Sequence, residues 1–237
     1  MSSNRKTAII VGVLIIISAV TYMIGGVFLK PIMNAPDYLT KLAPNATRVI
    51  LGMFIELITG ISVVFISVML FPILKKYNET IAIGHIGFII IEAVMIIVSE
   101  IILLSLLVLS QEYVKAGAPD SSYFQTIATL LINVRFWNAD MVLIPVGIAY
   151  LMFFSILFKS KLVPRFISVW GIIGMIIFLG VVLFGIFNNN PGILYKFESN
   201  LAMVSIPGAL SEIVLAIWLI VKGFNSSAIA PNLEKQI

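Results

Sequence analysis

Six stretches of the chain run for about twenty residues or more with few charges: Thr7–Phe28, Val49–Phe71, Ile81–Leu106, Phe136–Phe158, Phe166–Phe187 and Leu201–Val221. A helix rises about 1.5 Å per residue, so each is long enough to cross a hydrocarbon layer ~30 Å thick. Backbone N–H and C=O groups in lipid must be satisfied within the protein, which leaves helices or closed barrels as spanning structures. The period-two alternation of a membrane barrel strand is missing from these segments. The expected fold is therefore all-α: a polytopic transmembrane helical bundle of about six spans, one membrane domain over residues 1–237.

Composition narrows the function classes. The chain is 60% hydrophobic and only 11% charged, against roughly 25% charged in soluble domains. Mean hydropathy is +1.12. The net charge of +4 comes from basic residues standing singly or in pairs at span ends. No basic stripe with interleaved aromatics is present, so the pattern fits membrane topology rather than nucleic-acid binding. The absence of cysteine removes disulfides, thiolate catalysis and cysteine-based metal centres. With a single histidine, a haem or imidazole-rich site is also disfavoured, and no cofactor is expected.

Arg5 and Lys6 ahead of the first apolar run resemble the start of a signal peptide, but the run exceeds a signal core and no small-x-small site closes it. It is read as a retained first span. With the N-terminus inside, the inner side holds Arg5, Lys6, Lys75, Lys76, Lys159, Lys161, Arg165, Lys222 and Lys235. The outer side holds Lys30, Lys41, Arg48, Lys115, Arg135 and Lys196. That asymmetry points to both termini in the cytoplasm and to a multi-pass protein of the cell membrane. Prolines punctuate the connections: Pro31, Pro36 and Pro44 after the first span, Pro72 after the second, Pro164 after the fourth. Residues 123–134 are apolar and lead into the fourth span, giving a run too long for one straight crossing, so an interfacial helix is expected there. Pro145 is a candidate kink within that crossing.

The chemistry-bearing residues are acids where hydrocarbon should be. Glu56, Glu92, Glu100 and Glu212 fall inside the expected spans, and a charge at the bilayer centre costs roughly 2.5–3.5 kcal/mol on insertion scales. Gly52, Glu56, Thr59, Gly60 and Ser67 recur at near-helical intervals, so the second span has a small, polar face. His85, Glu92 and Ser99 line one stripe of the third span, with Glu100 offset by about 80°. On the sixth, Ser205, Gly208 and Glu212 share a face. The expected depths put Glu92 and Glu212 near the midplane, Glu56 and Glu100 in the outer half, Arg48, Arg135, Asn138 and Asp140 at the outer mouth, and His85 near the inner one. An acidic pocket opening outward with arginines at its rim fits that arrangement. The candidate ligand- or ion-binding set is Glu56, Glu92, Glu100, Glu212, His85, Arg135 and Asp140.

The plainer reading is structural. A buried glutamate can simply hydrogen-bond a neighbouring helix, for about 0.6 kcal/mol on average. His85 alone is more often a packing residue than a ligand, and Gly171 with Gly174 reads as close helix packing. Catalysis finds little support: a His-Glu-x-x-His zinc helix needs two histidines, and a Ser–His pair would lack a G-x-S-x-G context. A carboxylate cage from Glu56, Glu92 and Glu212 suits oxygen-ligated metals, though no spacing demands it.

Four segments carry a family likeness: Phe71-Pro72-Ile73-Leu74-Lys75-Lys76; Ile91-Glu92-Ala93; Leu162-Val163-Pro164-Arg165-Phe166-Ile167-Ser168-Val169-Trp170-Gly171; and the run from Glu212 to Phe224, with Trp218, Lys222 and Gly223 inside it. In these the chain resembles a family of bacterial and archaeal integral membrane proteins known only as a domain of unknown function. The resemblance implies six to seven helices and sets Glu92 and Glu212 within signature segments. It implies no reaction, substrate or cofactor. Three function classes follow: a protein that binds or transports a small cation, a proton or an amphiphile through interior acids, a non-catalytic accessory or immunity-type protein, and a carboxylate-based intramembrane enzyme on a lipid-like substrate. The lipid bilayer is the expected partner, with a small ion or amphiphile as ligand, and no nucleic acid.

Overall fold

The computed structural model describes residues 3–118, 122–192, 203 and 206–229. The helices are α1 (Ser3–Met33), α2 (Tyr38–Leu42), α3 (Ala46–Leu74), α4 (Glu79–Lys115), α5 (Ser122–Ser160), α6 (Arg165–Phe187), α7 (Ile206–Val221) and the single turn α8 (Ser226–Ile229), with a 3-10 turn at Ala43–Asn45. Five of the stretches they form are long and apolar enough to cross a membrane, and α7 is a shorter apolar helix. The chain is a multi-pass helical membrane protein. The beginning of the sixth expected span, including Ser205, lies outside the described residues, as do Asp120, Lys196, Glu198 and Lys235.

The helices outrun the hydropathy-defined spans because hydrogen bonding does not stop where side chains turn polar. At 37 and 39 residues, α4 and α5 extend roughly 55–60 Å. Residues 123–134, where a separate interfacial helix is expected, continue into the crossing part of α5 without a break. Pro145 lies inside that helix, and Pro31 and Pro72 lie in the last turns of α1 and α3 rather than in connections. Proline has no N–H to donate four residues back. At Pro31 the carbonyl released is that of Val27, and Arg48 on α3 supplies the missing donor, Nη2 to Val27 at 3.2 Å, with Nε to the Phe28 carbonyl at 3.0 Å.

Helix packing follows chain order and then closes. Contacts run α1–α3, α3–α4, α4–α5, α5–α6 and α6–α7, and α7 returns to α1. The α6–α7 seam brings backbones close at two glycines: a Cβ on Gly174 would stand 2.7 Å from the Gly208 Cα, so any larger residue would push the helices apart. Gly171 faces the Phe154 ring instead.

Hydrogen bonds sort the connections by end. At one end Arg5 donates to the Leu219, Ile220 and Val221 carbonyls at 2.9, 2.7 and 3.1 Å, capping α7 where its own ladder runs out. Tyr77, in the α3–α4 turn, donates to the Ala228 carbonyl at 2.8 Å, and the Asn225 N–H donates to Leu162 in the α5–α6 turn at 2.8 Å. The start of α1 and the finish of α7 thus share a face. This end carries Arg5, Lys6, Lys75, Lys76, Lys159, Lys161, Arg165 and Lys222 against one acid, Glu79, among the described residues. At the opposite end the Ser110 hydroxyl accepts from the Ala43 N–H at 2.9 Å and donates to the Leu39 carbonyl, pinning α2 over the α4 terminus.

Two apolar clusters divide the interior. One, nearer the basic end, gathers residues from α1, α3–α7 and the α5–α6 turn around Phe153, Phe154 and Leu157. The other lies under α2 and gathers Leu29, Leu42, Leu103, Leu106 and Phe136.

Candidate functional site

The α4–α5 seam holds a polar ladder in antiparallel register. His85 Nδ1 meets the Ala149 carbonyl at 3.0 Å, Asn138 Nδ2 donates to Met95 at 3.1 Å, and Arg135 Nη1 donates to Ser99 at 2.6 Å. From His85 to Ser99 the chain advances 14 residues along α4 while its partners retreat 14 along α5, from Ala149 to Arg135. The stripe of His85, Glu92 and Ser99 is thus the face of α4 turned to α5, and these contacts fix which acids can meet.

The first acidic group forms around Arg135. Its Nη2 lies 2.9 Å from Glu56 Oε2 and its Nη1 3.5 Å from Glu100 Oε1. Arg135 and Glu100 are each 3% exposed. Glu56 comes from α3, Glu100 from α4 and Arg135 from α5. Gly25 on α1 leaves the space Glu56 needs: a Cβ there would stand 2.6 Å from Glu56 Cγ. Lys30, at the end of α1, is within electrostatic reach of Glu56. The expected rim arginine is therefore interior. Its guanidinium donates to the Glu56 carboxylate and the Ser99 carbonyl, while Glu100, a longer ion pair, keeps both carboxyl oxygens without a hydrogen-bond partner.

The second group lies two turns further along α4, about 12 Å away. Glu92 is buried, and one of its carboxylate oxygens has no hydrogen-bond partner. Glu212 on α7 is within electrostatic reach of Glu92, and the Tyr150 hydroxyl on α5 is within reach of both acids. These residues come from α4, α5 and α7. α4 touches neither α6 nor α7 extensively, so the two acids come from helices that are not neighbours in the ring. Among the described residues, neither acid forms an ion pair.

The remaining candidates fall elsewhere. Asp140, buried on α5, accepts from the Gly192 N–H at 2.6 Å and so ties down the segment after α6; Gly192 holds a φ of 75° that suits glycine. His85 stacks on Phe153 at 5.4 Å between ring centres. It lines a void of about 10 Å³ with Tyr150, Ile15 and Val63, which is at the lower limit for one water molecule. Glu56 faces Arg135, not Glu92 and Glu212, so the three do not form a cage, and no cluster of three metal-ligating residues occurs among the described residues.

The seven candidates thus separate into an arginine-held pair, an acid pair without a cation, a loop tether and a packing histidine. Tyr150 was not singled out from the sequence. Its signal is a phenol deep in an apolar run, where the hydroxyl needs a partner.

A family model described as a domain of unknown function (DUF4386) matches residues 10–223, and the chain belongs to that family. No curated protein matches the chain, and no solved structure does.

Proposed function

For this member of the DUF4386 family we propose binding and transfer of a single small positive charge, a proton or a hard metal cation, at the Glu92–Glu212 pair. The reading is supported by two acids from α4 and α7 within electrostatic reach of each other, Glu92 buried with one oxygen lacking a hydrogen-bond partner, and neither acid in an ion pair among the described residues. Two like charges in a low-dielectric interior repel by several kcal/mol, and a bound proton or cation would relieve that repulsion. Carboxylate and phenol oxygens suit hard cations. Intramembrane acids that face inward mark ion or proton paths.

The test is thermal unfolding of the detergent-purified protein in sodium, lithium, potassium or choline chloride at constant ionic strength, alongside proton uptake followed with an indicator dye. A saturable rise in melting temperature with one cation, or uptake of about one proton per chain, lost in Glu92→Gln and Glu212→Gln, is the expected result. A parent protein indifferent to both would remove the proposal.

We propose further that the basic end faces the cytoplasm of a cell membrane, placing both termini inside. The natural lack of cysteine makes this directly measurable. A cysteine at Thr40 should react with an impermeant maleimide on intact cells, and one at Asn225 only after permeabilisation. The reverse pattern would invert the topology.

A further inference from the structure

The two longer family-like segments, 162–171 and 212–224, converge on a groove at the basic end. It encloses about 410 Å³ between the α5–α6 turn and the end of α7, and its lining includes Lys161, Arg165, Lys222, Trp218, Phe224 and Asn225. Three cations therefore face one space, and among the described residues none of them is paired with a carboxylate. The Arg165 guanidinium stacks on Phe158 at 5.4 Å, which orients it while leaving its N–H donors available.

The groove is held by the fold. Leu162 and Val163 are 0% and 2% exposed, and the Asn225 N–H fixes the Leu162 carbonyl. Lys161 itself has a φ of 56°. The position after a helix that takes this left-handed conformation is ordinarily glycine, and a lysine there is strained. A side chain retained at such a backbone position is favoured when it contributes something glycine would not.

The height of the groove in the membrane selects the occupant. α6 begins at Arg165 and α7 ends at Val221, so the groove lies where apolar helix surface gives way to water. Phospholipid phosphates lie at that level, and Trp218 and Phe224 provide the aromatic surface typical of it. A volume of several hundred cubic ångströms accommodates a small organic group.

We infer that this groove binds the phosphate headgroup of an anionic phospholipid from the adjoining leaflet, with Lys161, Arg165 and Lys222 contacting the phosphate and Trp218 and Phe224 covering the glycerol and upper acyl chain. The site is independent of the Glu92–Glu212 pair, which belongs to the interior of the ring.

The test uses the full chain in nanodiscs of phosphatidylcholine with graded phosphatidylglycerol, read by native mass spectrometry for retained lipid. The parent should keep one phosphatidylglycerol in preference to phosphatidylcholine. Arg165→Gln and Lys222→Gln should each weaken retention about fivefold and the double variant about twenty-five-fold, from the usual contribution of one basic residue at an anionic surface. Lys161→Gly relieves backbone strain, so its melting temperature should equal or exceed the parent's while lipid retention falls. That combination separates loss of a ligand contact from misfolding. Lys75→Gln with Lys76→Gln, on the same face outside the groove, should leave retention intact, as should Glu92→Gln with Glu212→Gln.

Equal retention of phosphatidylcholine would overturn the assignment. So would weakening by the Lys75/Lys76 pair as large as that from the groove variants, which would reveal a general surface potential. Displacement of the lipid by millimolar inorganic phosphate would overturn the lipid source in favour of a free-phosphate site.

Discussion

Two pairs of glutamates lie about 12 Å apart on the same helix bundle, and the chain treats them oppositely. Glu56 and Glu100 are gathered around Arg135, which also donates to the Ser99 carbonyl, with Lys30 within reach. Glu92 and Glu212 have a tyrosine hydroxyl and, among the described residues, no cation. Burial is comparable for Glu92 and Glu100, at 7% and 3% exposed, so hydrophobicity alone does not distinguish the pairs. The difference is charge supplied from within. The first group holds a guanidinium between its two acids and can be rigid scaffold. The second, on the proposed reading, is completed by a bound proton or cation. A buried acid is thus a weak functional signal until its counter-charge is known.

The sharpest way to break this contrast is to remove the arginine. Arg135→Gln should destabilise the protein by about 3–5 kcal/mol, because two buried carboxylates lose their shared partner. Adding Glu56→Gln and Glu100→Gln to it should recover most of that loss in the same denaturation measurement. If the triple variant stayed as unstable as the single, Arg135 would be acting through packing instead. A smaller effect is expected at Gly25. Gly25→Ala sets a methyl against Glu56 Cγ and should cost about 1–3 kcal/mol, with melting in Glu56→Gln background showing whether the cost tracks the acid. The smallest change belongs to the other pair. Glu92→Gln with Glu212→Gln should leave stability within about 0.5 kcal/mol of the parent in choline chloride, or raise it, since the substitution removes repulsion and keeps an acceptor for Tyr150. A loss of several kcal/mol there would make both pairs scaffold and erase the contrast.

Much of the architecture could be read from hydropathy, because lipid imposes length and internal hydrogen bonding on any segment that crosses it. Which side chains meet was harder. Residues 122–135 and 107–115 lie outside the expected spans, yet α5 and α4 continue through them. Arg135 therefore stood just beyond an expected span, and its charge argued for a rim. The structure buries it because partners arrive from Glu56 and Glu100, far away in the chain. Periodicity ranked faces of one helix correctly in principle: Glu92 and Glu100 diverge around α4, and they do enter different groups. What it could not supply was the neighbouring helix each face would find. Asp140 shows the same gap. Its role as a tether for Gly192 depends on where the segment after α6 returns, which no local pattern encodes.

The Arg5 clasp on the last turn of α7 has a consequence for biogenesis. Translation makes α1 well before α7, and the guanidinium waits without those three carbonyls while the intervening helices are made. A nascent chain lacking α7 leaves the sides of α1 and α6 that it will cover facing lipid or a chaperone. The contact between α1 and α7 therefore forms only after the five helices between them have been made. Truncated chains would present an open seam, the kind of surface on which membrane quality control acts.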